Sequence, residues 1–185
     1  RMGLELLANL SALSLSAGAV AVGLVLVAKW ALIGRVRPGT HGLWSSWCCR
    51  WDFVYVAWDK VGRGPLSQLS GTLWLSMVLR AIGVGVGRRV VLNDAFAQVV
   101  DPDMLRFEDG ATVDCMFQAH SFEDRVLKID RVRIGQGATA RRAAVLMYGA
   151  NLGEGSAALP HSVVMKEEHL SAACRYLGVP TERVQ

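Results

Sequence analysis

The stretch that decides the fold is Ile134–Val164, IGQGATARRAAVLMYGANLGEGSAALPHSVV. Stepping by six through it gives Ile134, Ala140, Leu146, Leu152, Ala158 and Val164, all aliphatic. Ile134 and Leu152 are each followed by glycine, Gly135 and Gly153. A six-residue step describes a triangular coil. Each side is a short strand with one small aliphatic residue inward, and three sides make a turn of about 18 residues. Coils stack so that each strand pairs with those above and below. Glycine beside the inward residue lets the chain turn the corner. Residues 134–151 and 152–169 are therefore predicted to be two coils. Upstream, Val86-Gly87 with Leu92, and Phe107 with Val113 and Ala119, repeat the step out of phase, which predicts loops between coils.

The opposite end of the chain has another character. No charged residue occurs from Leu6 to Ala28. A run of that length is enough to cross the hydrocarbon of a bilayer, which takes about 20 apolar residues. It is too long for a signal-peptide core and lacks a small-residue cleavage site after it. Lys29, Arg35, Arg37 and Arg50 lie beyond it, against Arg1 and Glu5 before it, so the chain after Lys29 is expected on the cytoplasmic side of the cell membrane. The chain opens at Arg1 and is read as a piece of a longer protein.

Between the two lies an aromatic segment. Trp44, Trp47, Trp51, Tyr55 and Trp58 are three, four, four and three residues apart, one face of a helix. Such a face suits the membrane–water boundary, or packs onto the protein core. A turn is expected at Gly62-Arg63-Gly64-Pro65. Leu66, Leu69, Leu73, Met77 and Ala81 then mark a second amphipathic helix ending near Gly83. Gly83, Gly85 and Gly87 do not sit between a strand and a helix, so a phosphate loop is disfavoured. The predicted fold class is mixed: N-terminal transmembrane and amphipathic helices followed by a left-handed β-helix of hexapeptide repeats. The span is placed at 1–33, interfacial helices at 34–83, the β-helix at 84–170 and a C-terminal tail at 171–185.

Composition agrees with a membrane-attached chain: 52% of residues are hydrophobic. The net charge of +4 is scattered, which argues for anionic lipid headgroups near the span and against nucleic acid. Cys48 and Cys49 are adjacent, and with Cys115 and Cys174 they form no CxxC pair, so reduced thiols are expected and no metal site.

Specific stretches carry a resemblance. They are Lys29-Trp30 with Gly34-Arg35, Leu43-Trp44-Ser45 with Arg50, Gly71-Thr72, Leu79-Arg80, Val86-Gly87-Arg88-Arg89, Asp101-Pro102-Asp103, the run His120-Ser121-Phe122-Glu123-Asp124-Arg125, Val163-Val164-Met165-Lys166 and Leu177-Gly178-Val179-Pro180. On these the chain resembles the C-terminal region of the poly-ε-lysine synthetase type of nonribosomal peptide synthetase. That region alternates transmembrane helices with three tandem acetyltransferase-like domains, and the closing Gly-Val-Pro suggests the last copy. This chain departs from the pattern at Arg141-Arg142, where a repeat glycine is expected, at Glu167 in place of glycine, and at Asp101 in place of Glu.

The resemblance implies amide bond formation between a carrier-tethered amino acid and a growing homopolymer such as poly-lysine. It implies no cofactor bound by this segment itself; the phosphopantetheine arm of a carrier domain is the expected acyl donor. Implied partners are sister tandem β-helix domains, carrier and adenylation domains, membrane lipids and an amino-acid or peptide substrate, in a homo-oligomer. Attack requires a neutral amine and hence a general base. His120 is the candidate base, with Glu123 or Asp124 to orient it. Arg125 is placed to pair with a carboxylate, and Asp101 and Asp103 to recognise a cationic amine. Each has a structural alternative: a corner histidine, a loop-fixing ion cluster, a turn. Two other functions are carried forward. One is a non-catalytic copy completing a pseudo-trimer of tandem domains, favoured by Arg141 and Glu167. The other is a stand-alone acetyltransferase using acyl-CoA.

Overall fold

The structure is a computed structural model that describes residues 2–93 and 101–184. It begins with helix α1, Met2–Leu32. From Gly3 to Ala17 every residue of α1 is exposed, although most are apolar. A helix that is apolar all round needs an apolar surrounding, and Gly3–Leu32 is long and apolar enough to cross a membrane. Only the second half packs on protein, through Val22 and Val25. Glu5 in the first turn and Lys29 in the last complement the helix dipole.

Strand β1, Gly39–Gly42, leads to α2, Ser46–Ala57. Ser45 caps α2 by accepting a hydrogen bond from the Cys48 amide at 3.2 Å. The expected turn at Gly62–Pro65 is not there. A π turn, Trp58–Gly62, carries the helix into α3, Arg63–Ser67. Proline has no amide for the helical ladder, and the wider π turn just before Pro65 accommodates that loss. The chain turns instead at Gln68–Thr72 and enters α4, Leu73–Ile82. The stripe Leu73, Met77, Ala81 is exposed, while Leu75, Leu79 and Ile82 face the core, so α4 is apolar on both sides.

The aromatic face of α2 also differs from a purely interfacial stripe. Trp51 and Trp58 are buried, and Trp47 stacks on His41 with ring centroids 3.5 Å apart. Trp44 alone of the six tryptophans is almost fully exposed, at 91%. The stripe turns inward because it closes over the end of α1 and the Asp101-Pro102 turn, which line one cavity with Trp51 and Trp58.

The rest is stacked strands. β2 (Gly85–Val86), β4 (Leu105–Phe107), β8 (Val132–Ile134), β10 (Asn151–Leu152) and β13 (His169–Leu170) pair in parallel. Their inward column is Val86, Phe107, Ile134, Leu152 and Leu170. A second face stacks β3 (Val91–Leu92), β5 (Thr112–Gln118), β9 (Thr139–Met147), β11 (Ala157–Ala158) and β14 (Arg175–Leu177), with the column Leu92, Val113, Ala140, Ala158 and Tyr176. The far halves of β5 and β9 make a third face with β12 (Val163–Val164), through Phe117, Leu146 and Val164. The six residues of the predicted step are all fully buried.

Three details differ from the expectation. Gly135 and Gly153 are required by close stacking: a Cβ on Gly135 would lie 2.7 Å from the Leu152 carbonyl oxygen, and one on Gly153 would lie 2.6 Å from the Ala172 nitrogen. The corner conformation is taken two residues later, by Gly137 and Gly155 at φ +63° and +62°. Second, Phe117, not Ala119, holds the third inward position of its coil, because β9 bulges at Arg141–Ala143 where β5 has only Asp114. Third, residues 171–185, expected as a tail, carry β14 on the coil and β15 (Glu182–Val184) folded back antiparallel on it.

One loop between coils is a hairpin, β6 (His120–Glu123) and β7 (Val126–Ile129). β1 adds to its edge, with Gly39 opposite Ile129 and Gly42 opposite Val126. The hairpin thus fastens the coil to the helices.

Candidate active site at the junction of helices and coil

Asp101-Pro102-Asp103 lies where helices, hairpin and coil meet, at the head of a 3-10 turn, Pro102–Met104. Its two carboxylates face different partners. Asp101 is buried: one oxygen accepts the Trp51 indole N–H at 2.8 Å and the other lies 2.7 Å from His120 Nδ1. Asp103 lies 2.8 Å from Lys29 Nζ, with side-chain exposures of 3% and 0%, and accepts the Val36 amide at 3.1 Å. Its other oxygen occupies the place of a side chain on Gly83, where a Cβ would come within 2.3 Å. Gly83, at φ +124°, ends α4 and makes room for that carboxylate. A buried carboxylate stays charged only when paired and hydrogen-bonded, and both are.

The sequence singles out Asp101 for substrate and His120 for catalysis, separately; the fold joins them. The carboxylate in contact with His120 is Asp101 and not Glu123 or Asp124. Strand alternation separates His120 from Glu123, and Asp124 lies beyond the strand in the hairpin turn. In β6, His120 and Phe122 share one face, and Ser121 and Glu123 share the other. His120 and Phe122 meet Trp51 edge-on, with centroids 5.0 and 6.1 Å away. In the sequence Trp51 is one more member of the aromatic stripe, and nothing there marks it as a partner of Asp101.

Glu123 heads a separate cluster. It accepts from Ser121 at 2.8 Å, from Lys128 at 2.7 Å and from Lys166. Lys128 above all, then Lys166 and Ser121, hold its carboxyl down at about 2. Lys166 also donates to Ser121 at 2.8 Å. Two of the motifs that carry the resemblance, at 120–125 and 163–166, are therefore tied to each other. Asp124 and Arg125 are exposed, with φ of +50° and +64°. They form the two-residue connection of the hairpin, for which positive φ at both positions matches strand twist. Asp103 is already neutralised by Lys29, so its cationic partner is internal. The four cysteines are unpaired, and among the described residues no group of three His, Cys, Asp or Glu could hold a metal.

Stacked parallel coils of this kind define the fold of hexapeptide-repeat acetyltransferases. A hexapeptide-repeat-containing acetyltransferase from Vibrio cholerae superposes with a TM-score of 0.51 at 12% identity, over 69% of this chain and 89% of that one. The acetyl coenzyme A complex of that enzyme, from Vibrio cholerae O1 biovar eltor, gives 0.51 at 13% identity, over 66% and 84%. Within that fold, the chain is similar to a Delta-poly-L-ornithine synthetase from Acinetobacter baumannii (strain AB307-0294), 29% identical over 178 residues. The match takes in 93% of this chain and 13% of that protein. The chain thus has the fold of hexapeptide-repeat acetyltransferases and resembles part of a poly-amino-acid synthetase, as its motifs indicate. No family model matches it.

Proposed function

We propose that this chain is a membrane-anchored acyl-transfer domain of a poly-amino-acid synthetase, and that His120 is its general base. The observation that carries the reading is the His120–Asp101 pair, 2.7 Å apart, in a chain similar to a poly-ornithine synthetase. Asp101 holds the Nδ1 side of the imidazole and favours the tautomer with its proton there. Nε2 is then free to take a proton from an amine as it attacks a thioester carbonyl. The attacking nitrogen forms the new amide bond, the thiolate leaves, and the proton passes to His120. The acyl donor is the phosphopantetheine arm of a carrier domain outside this chain. The monomer is a cationic amino acid such as ornithine or lysine. The coils are left-handed, α1 crosses the membrane and the coil faces the cytoplasm. Trp44, Leu73, Trp74 and Met77, all exposed, meet the lipid boundary.

The test is polymer formation by the full-length protein carrying His120→Ala. A folded variant is expected to lose about 100-fold or more, the usual weight of a general base. Polymer formation at the normal rate would remove His120 from the chemistry.

A second reading has its own support. The His120 side chain is only 11% exposed and is walled by Trp51 and Phe122. In a structural copy the Asp101–His120–Trp51 set would simply clamp the hairpin to α2, and sister domains would carry the reaction. His120→Ala would then lower stability while leaving polymer formation by the folded fraction intact. Use of free acyl-CoA by this chain alone is weaker still, and absence of coenzyme A binding to the purified chain would dismiss it.

A further inference from the structure

A small cavity of about 10 Å³ lies at the foot of α1. Its walls include Lys29 and Ile33, Trp51 and Trp58, and the Asp101-Pro102 turn. Two of these residues are buried donors with no hydrogen-bond acceptor among the described residues, Lys29 Nζ and Trp58 Nε1. Lys29 Nζ pairs with Asp103 at 2.8 Å and lies 3.5 Å from the Trp30 ring centroid, contacts that leave at least one of its three N–H groups without an acceptor. An ammonium has three N–H groups and an indole one, so two residues of this wall carry unmet donors. Buried donors are almost always paired, with protein or with ordered water.

Size and charge select what can bind there. A cavity of roughly 10–15 Å³ has room for one water, which needs two to four polar partners. An anion would face the Asp101 carboxylate, and a metal cation would face the Lys29 ammonium. Only a neutral ligand that both accepts and donates satisfies both walls. Asp101 can serve as its acceptor. A carboxylate has about four lone-pair sites, and Trp51 and His120 engage only one on each oxygen.

We propose that the cavity is a binding site for one ordered water, which accepts from Trp58 Nε1 and Lys29 Nζ and donates to Asp101. The water joins the Lys29–Asp103 pair to the Asp101–His120 pair. The foot of the apolar helix and the imidazole thereby belong to one buried polar network, with Trp58 as a positioning residue for His120. The inference does not depend on His120 being a base.

The direct test is a structure of the full chain, in detergent or lipid nanodiscs, at a resolution that orders internal waters. One peak is expected about 2.7–3.2 Å from both donors; an empty cavity, or one filled by a side chain, overturns the site. In solution, the Trp58 indole proton should show a nuclear Overhauser contact to a long-lived water, and its absence also overturns it. The network is tested by the titration midpoint of His120, followed by NMR. Trp58→Phe removes a donor to the water and should move the midpoint, whereas Ile33→Val trims the same wall without a polar loss and should leave it in place. A midpoint indifferent to Trp58→Phe refutes the link to His120.

Discussion

The coil from Ile134 to Leu170 and the junction around Asp101 bury side chains of opposite kinds. In the coil, one aliphatic residue per side points inward and stacks on its counterpart from the next turn, Ile134 on Leu152 on Leu170. Its stability is a sum of similar small steps between neighbours. In the junction, a lysine, two aspartates and a tryptophan are buried together beside a half-buried histidine. Each charge there is tolerable only because a partner from a distant part of the chain meets it. The first region should therefore yield to substitution gradually, and the second abruptly.

The largest effect is expected in the junction. Asp103→Ala leaves Lys29 buried without its carboxylate, which should cost about 4 kcal/mol. Unfolding in detergent measures it. The double replacement Lys29→Met with Asp103→Leu should recover most of the loss, because an apolar pair removes both buried charges at once. A single variant as mild as a surface change would mean that the pair is not desolvated. Next comes the coil. Leu152→Ala should cost about 3 kcal/mol through lost packing and the cavity left behind. The same truncation at Leu146 should add to it nearly independently if the faces behave as separate columns. Strong coupling between them would break the comparison.

The smallest effect belongs to Glu123, outside both regions. Its carboxyl is held at about 2 by Lys128 foremost and then Lys166 and Ser121. A depressed carboxylate contributes fully above its ordinary value, 4.5, and its contribution fades as pH falls through that value toward about 2. Glu123→Gln should therefore differ from the parent in unfolding above pH 4.5 and converge with it toward pH 2. A difference that persists unchanged at low pH would assign the effect to something other than the carboxylate.

The same contrast governs how much of the fold and the site is legible in the sequence. The coil follows from a local period, so the six inward residues from Ile134 to Val164 can be read directly, and all are fully buried. Period alone does not supply the reason for Gly135 and Gly153, which is the approach of the next turn. The junction rests on contacts between residues 50 and 67 positions apart, Trp51 with Asp101 and Val36 with Asp103. No pattern in a single sequence encodes such partners. The residues themselves are visible, yet their pairing is not. Part of it is available all the same. Alternation along a strand already separates His120 from Glu123, one of the two carboxylates set beside it. The aromatic stripe misleads for a related reason: spacing shows that Trp51 and Trp58 share a face, but not whether that face meets lipid or protein.

Asp101 is where these two kinds of burial meet the proposed chemistry, so it offers the most direct test. Polymer formation by the full-length protein should be measured with Asp101→Asn, a replacement of nearly the same shape that keeps contacts to Trp51 and His120 but not the charge. If Asp101 orients and supports His120 as a base, activity should fall by about tenfold or more while the chain stays folded, and Asp101→Asn added to His120→Ala should lower it little further. Full activity in a folded Asp101→Asn protein would contradict the account.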